Sequence, residues 1–144
     1  MKTLFDTSLI IAALVESHPM HARAFPWIKQ AKAKEFELIV ASHTLAELYA
    51  VLSTLPVKPR ISPGVAWRLI HENIETISKV ISLTPAEYSS VIKSLAESGL
   101  IGGLVYDALI ARVAQKAKVD RLLTFNSNHF KRVWPGGEKI IISL

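Results

Sequence analysis

The sequence predicts an α/β fold: a mostly parallel, about five-stranded sheet covered by helices on both faces. Short apolar runs of strand length alternate with longer segments of helical character along the whole chain, as a parallel sheet with crossover helices requires. Half of the 144 residues are apolar, which provides for a large core and for an apolar surface reserved for a partner. No repeat, low-complexity tract or linker interrupts the pattern, so residues 1–144 are read as a single domain.

Lys2–Phe5 is apolar and ends at Asp6, which marks a buried strand. Thr7–Glu16 follows as a helix, with Asp6, Thr7 and Ser8 supplying cap chemistry, and His18-Pro19 breaks it. His21–Lys34 reads as a second helix with Phe25, Trp27, Ile28 and Ala31 inward. Leu38–Ala41 is a strand, and Ser42 caps a helix running to about Thr54. Pro56, Pro59 and Pro63 mark the loop Leu55–Ser62, whose Lys58 and Arg60 are candidates for substrate contact. Gly64–Lys79 is expected to be helical and Val80–Leu83 to be the third strand. Thr84-Pro85-Ala86-Glu87 is a capping-box helix start, and that helix ends near Gly99. After the Gly102-Gly103 turn come a helix over Leu104–Lys118 and strands over Arg121–Phe125 and Lys139–Ser143.

The absence of cysteine excludes a disulfide framework, a thiolate zinc site and a cysteine nucleophile, and fits a cytoplasmic protein. No secretory signal is visible, and no window reaches the roughly 18 apolar residues of a membrane helix. Formal net charge is +5. Between Ala108 and Arg132 stand Arg112, Lys116, Lys118, Arg121, Lys131 and Arg132 against the single acid Asp120. Such a field attracts phosphate backbones, although a merely solvated basic surface has the same composition.

Ligands of parallel sheets bind beyond the carboxyl ends of the strands, and isolated acids stand there. Asp6 directly follows the first strand; helix N-cap and metal ligand are both open to it and compatible. Asp107 sits on an apolar helical stripe with Gly103, Leu104, Ile110 and Ala111. A carboxylate there needs a partner or a cation, and Arg112, five positions on, is badly phased to pair with it. Glu47 is the only charge in Thr44–Thr54; it is either a solvent-facing glutamate beside His43 or a third ligand. Three carboxylates gathered together repel unless a hard cation such as Mg²⁺ compensates them. Thr124 and Asn126 emerge at the same rim, Asn126 either as turn chemistry or as a neutral oxygen ligand.

The ordered set Leu4-Phe5-Asp6-Thr7-Ser8, Thr44-Leu45-Ala46-Glu47-Leu48, Tyr106-Asp107-Ala108-Leu109-Ile110-Ala111 and Leu122-Leu123-Thr124-Phe125-Asn126 resembles the PIN-domain nucleases, specifically the VapC-like toxins of toxin–antitoxin pairs. The resemblance implies a three-layer α/β/α sandwich and an acidic metal site of Asp6, Glu47 and Asp107, supported by Ser8, Thr124 and Asn126. Many relatives carry a fourth acid where Asn126 stands, which puts a tightly held second metal in doubt. The resemblance further implies Mg²⁺, with Mn²⁺ as substitute, a homodimer, and a small antitoxin covering the site and its neighbouring hydrophobic groove. The expected reaction is RNA cleavage by a metal-activated water, leaving 5′-phosphate and 3′-hydroxyl ends. Arg112, Lys116 and Lys131 are expected to hold flanking phosphates. A PIN nuclease of RNA processing without an antitoxin and a non-catalytic binding module are the alternatives. No glycine-rich phosphate loop follows any strand, so an unrelated phosphate-binding domain has no support.

Overall fold

Five strands make one all-parallel sheet in the spatial order β3-β2-β1-β4-β5: β1 (Lys2–Phe5), β2 (Glu37–Ala41), β3 (Ser78–Ile81), β4 (Arg121–Thr124) and β5 (Ile141–Ser143). This computed structural model describes all residues from 1 to 144. Side chains alternate across a pleated strand, and that alternation divides the core in two. Phe5, Leu38, Val40 and Leu123 face α1 (Thr7–Leu14), α2 (His21–Lys32), α3 (Ser42–Leu52) and α4 (Pro63–Ile70). Leu4, Ile39, Leu122 and Ile141 face α6 (Leu104–Ala117) and α7 (Ser127–Val133). The remaining helix, α5 (Pro85–Glu97), packs on α6 through Val91, Ala108 and Leu109. The expected three-layer α/β/α sandwich is thus formed. Each large apolar side chain buried this way stabilises the fold by about 1.5–3 kcal/mol. No helix is long and apolar enough to cross a membrane.

Several local expectations are corrected. Ala24, Ile28 and Ala31 form the buried stripe of α2, while Phe25 is exposed and Trp27 half-buried. Phe25 lies one residue off the i, i+4, i+7 row and stacks on His21 instead. Ser42 is the first residue of α3 rather than its cap, and Ala41 precedes it with extended backbone. The helix expected over Gly64–Lys79 starts at Pro63 behind a Ser62 cap and loosens into a π-helical turn over His71–Glu75. There Asn73, Thr76 and Ser78 donate side-chain hydrogen bonds to the carbonyls of Leu69, Glu72 and Ile74. This back-bonding competes with regular helix and lets β3 begin two residues early, at Ser78, in register with Leu38. Beyond β4, where turn chemistry is one of the two readings of Asn126, the chain forms α7, anchored by the fully buried Phe130. The Thr84 capping box is present in full.

The chain leaves β1 for β2 and β3 on one side, then crosses to β4 and β5 on the other. Strand order therefore reverses between β1 and β4, and their crossovers diverge there to leave a crevice beyond the carboxyl ends of the strands.

Candidate active site

Asp6 and Thr124 occupy the two sides of that reversal. Phe5 pairs with Leu123, and the Asp6 N–H continues the ladder by donating to the Leu123 carbonyl at 3.3 Å. The Asp6 side chain is 2% exposed. Its carboxylate accepts from the Ser8 hydroxyl at 2.8 Å, the Leu9 N–H at 3.0 Å and the Thr124 hydroxyl at 2.5 Å. The Leu9 bond makes Asp6 the N-cap of α1, so capping coexists with a role in the site. Burial pushes the Asp6 carboxyl up to about 6; the Thr124, Leu9 and Ser8 hydrogen bonds pull against that, and the Asp107 charge adds to it.

Glu47 comes from the middle of α3, where its Oε1 lies 3.3 Å from the Thr7 hydroxyl and 2.8 Å from His43 Nε2. The latter is an ionic approach one helical turn away, not an aligned hydrogen bond. Asp107 lies in the first turn of α6, with His129 Nδ1 at 3.5 Å from its Oδ2. Desolvation raises its pKa, and the Glu47 charge adds to the rise, while His129 and His43 oppose it. Asp6, Ser8, Glu47, Asp107 and Asn126 all line one cleft of about 420 Å³, with Thr124 behind Asp6. Asn126 is exposed, and its side chain does not cap α7.

The cations are placed otherwise than expected. Arg112 reaches Ser90 of α5 at 3.4 Å, and Lys116 bonds Glu87 at 2.8 Å and the Ser82 carbonyl at 3.0 Å. Both lie on the α6 face that packs against α5, roughly a third of a turn or more around the helix from Asp107, so neither is positioned as a phosphate contact at the cleft. Lys131 is exposed on α7 and lines neither the cleft nor its neighbours. Sequence reasoning missed His129, which lies in a segment assigned no element, and Thr7, read only as cap chemistry. It noted His43 beside Glu47, and the i,i+4 spacing was the signal for that contact.

The donor set is all oxygen and anionic, which suits a hard cation. The mutual repulsion among Asp6, Glu47 and Asp107 has the sign a cation would reverse. As placed, however, no three His, Asp or Glu side chains converge tightly enough to hold an ion. The three acids share a cleft while each leans on its own neighbours.

Residues 3–134 match the PIN domain family. The chain belongs to that family. This PIN domain is 35% identical over 115 residues to ribonuclease VapC27 of Mycobacterium tuberculosis, covering 80% of this chain and 78% of the relative. It is 34% identical over 119 residues to ribonuclease VapC40 of the same species, covering 83% and 82%. Among solved structures, VapBC2 of Rickettsia felis, bound to a DNA fragment from its promoter, superposes with a TM-score of 0.66 at 21% identity, covering 100% of this chain and 99% of that one. The sarcin-ricin loop cleaving toxin VapC20 of M. tuberculosis superposes with a TM-score of 0.69 at 16% identity, covering 88% and 92%. These structures share the fold of this PIN domain.

Proposed function

We propose that this PIN domain is a cytoplasmic, metal-dependent endoribonuclease, the toxin of a toxin–antitoxin pair, whose products carry 5′-phosphate and 3′-hydroxyl ends. The observation that carries the reading is the meeting of Asp6, Glu47 and Asp107 on one cleft at the strand-order reversal, in a chain of net charge +5. The ribonuclease names of the two mycobacterial relatives support RNA as the substrate. The VapBC2 pair supports a partner antitoxin, and a second copy of this chain is the other proposed partner.

Asp6, Asp107 and Glu47 would hold Mg²⁺ or Mn²⁺, which supplies charge neutralisation for phosphate oxygens and acidifies the attacking water. Ser8, Thr124 and the Leu9 N–H fix the Asp6 carboxylate and favour its charged form against the cost of burial. Thr7 and His43 hold Glu47 toward the cleft. Asn126 presents a neutral amide at the rim, able to orient a water or a phosphate oxygen without adding charge. With one acid fewer than many relatives, the site is proposed to hold a single cation tightly.

The test is incubation of the purified protein with an RNA pool in Mg²⁺, Mn²⁺ or EDTA, followed by mapping of the ends. Cleavage in either metal, none in EDTA and 5′-phosphate ends are expected. Cyclic 2′,3′-phosphate ends or cutting in EDTA would sink the metal-water route. RNA binding without cutting in any metal would establish the non-catalytic module, which Asn126 and the separated acids favour.

A further inference from the structure

A second cavity, of about 440 Å³, adjoins the acidic cleft at Asp107 and is lined by Ile101, Gly103, Leu104, Asp107, His129 and Arg132. Asp107 is the one residue it shares with the acidic cleft. A linear polymer cut in its interior must leave the reacting centre on two sides, and both of these cavities meet at Asp107.

The six cations between Ala108 and Arg132 sort by elimination. Arg121 begins β4, bonds Thr3 and lies over the rings of Trp27 and Phe36, at the amino end of the sheet. Lys118 closes α6 at that same end. Arg112 and Lys116 are committed to α5. Lys131 lines neither cavity. Arg132 alone is left beside Asp107, exposed and with no ion pair to any carboxylate of the chain. Ile101, 84% exposed, and Leu104 give the same cavity an apolar wall. A free guanidinium beside an apolar wall matches one nucleotide: phosphate on the cation, sugar or base on the wall.

We infer that the Ile101–Arg132 cavity is a second RNA subsite, taking the nucleotide next to the scissile phosphate, with Arg132 as its phosphate contact. The inference rests on the ribonuclease reading and adds the path of the strand across Asp107 to it.

Binding of a fluorescent single-stranded RNA is followed by anisotropy in EDTA, across a salt series, for wild type, Arg132→Ala, Ile101→Ser and Lys139→Ala. Loss of one phosphate contact reduces the salt slope by about 0.7, equivalent to about eightfold weaker binding at 50 mM salt if the contribution vanishes near 1 M. Arg132→Ala is expected to show both changes. Ile101→Ser is expected to weaken binding with the slope unchanged, because an apolar contact releases no counterion. Lys139→Ala removes an equal charge ahead of β5, at the opposite end of the sheet, and is expected to behave as wild type. Far-ultraviolet circular dichroism and melting curves check that each variant is folded. If Arg132→Ala keeps the wild-type slope, or if Lys139→Ala flattens it equally, the subsite is wrong even though RNA is cut. If wild type neither binds nor cuts RNA, the ribonuclease reading falls and the subsite with it.

Discussion

Replacing Asp6 with Asn should stabilise the metal-free protein at neutral pH. Asp6 is 2% exposed and its carboxyl is raised from 3.8 to about 6, with burial the largest cause. The folded state therefore holds the Asp6 proton more tightly than the unfolded chain does. The stability associated with that proton is fully present below about 3.8 and is lost as pH rises through about 6. At 1.36 kcal/mol per tenfold difference, the loss amounts to about 3 kcal/mol above pH 6. Asn carries no charge to desolvate. Its oxygen can keep the Leu9 bond that caps α1, and the Ser8 and Thr124 hydroxyls can rotate to accept from its amide. Allowing for imperfect fit, a net gain of about 1–3 kcal/mol is expected, or roughly 3–9 °C in melting temperature for a domain near this size. The measurement is a melting series from pH 3.5 to 8 in EDTA, taken as the difference between variant and wild type, which cancels every other titrating group. The difference should be near zero below pH 4, grow through pH 5–6 and level off. Saturating Mg²⁺ should stabilise wild type and not the variant. A flat difference, or a variant less stable at pH 7.5, would refute the argument that Asp6 is held charged against its burial.

Asp107→Asn should abolish RNA cleavage while leaving the metal-free fold intact or more stable, because desolvation and the Glu47 charge both oppose its ionisation; loss of several degrees of melting temperature in EDTA would make Asp107 structural. Asn126→Asp should tighten Mg²⁺ binding in isothermal titration at fixed ionic strength, and weaker or unchanged binding would put Asn126 outside the metal's reach. Lys116→Ala should leave RNA affinity and its salt slope unchanged, since Lys116 is spent on Glu87 and the Ser82 carbonyl. The same variant should be less stable than wild type at pH 7, with the deficit shrinking in acid: Lys116 is the first cause holding the Glu87 carboxyl down at about 2, so the pair's stabilisation in wild type, present above the ordinary value of 4.5, is itself lost as pH falls from there toward 2. Melting curves at pH 3 and pH 7 check the second half and anisotropy the first.

Alternating strand and helix patterns determined the sheet, its parallel sense and the two faces of the core, because periods of two and of about 3.6 residues are written locally in the chain. The Thr84 capping box is likewise a four-residue matter. Isolated acids in largely apolar segments singled out Asp6, Glu47 and Asp107, because an unpaired charge in an apolar context is costly wherever it folds. Tertiary structure decided the rest. Strand order put Asp6 beside Thr124, 118 positions away, and no local pattern encodes which strands become neighbours. Packing of α5 on α6 tied up Arg112 and Lys116 and left Arg132 on the second cavity beside Asp107; helical phase sets the first two off the Asp107 face, but which face a helix covers depends on what arrives to pack there. The same holds for α7, a mostly polar segment that became a helix because Phe130 found a place in the core. Strength of charge is a property of composition, but its direction is fixed only when distant segments compete for the same surface.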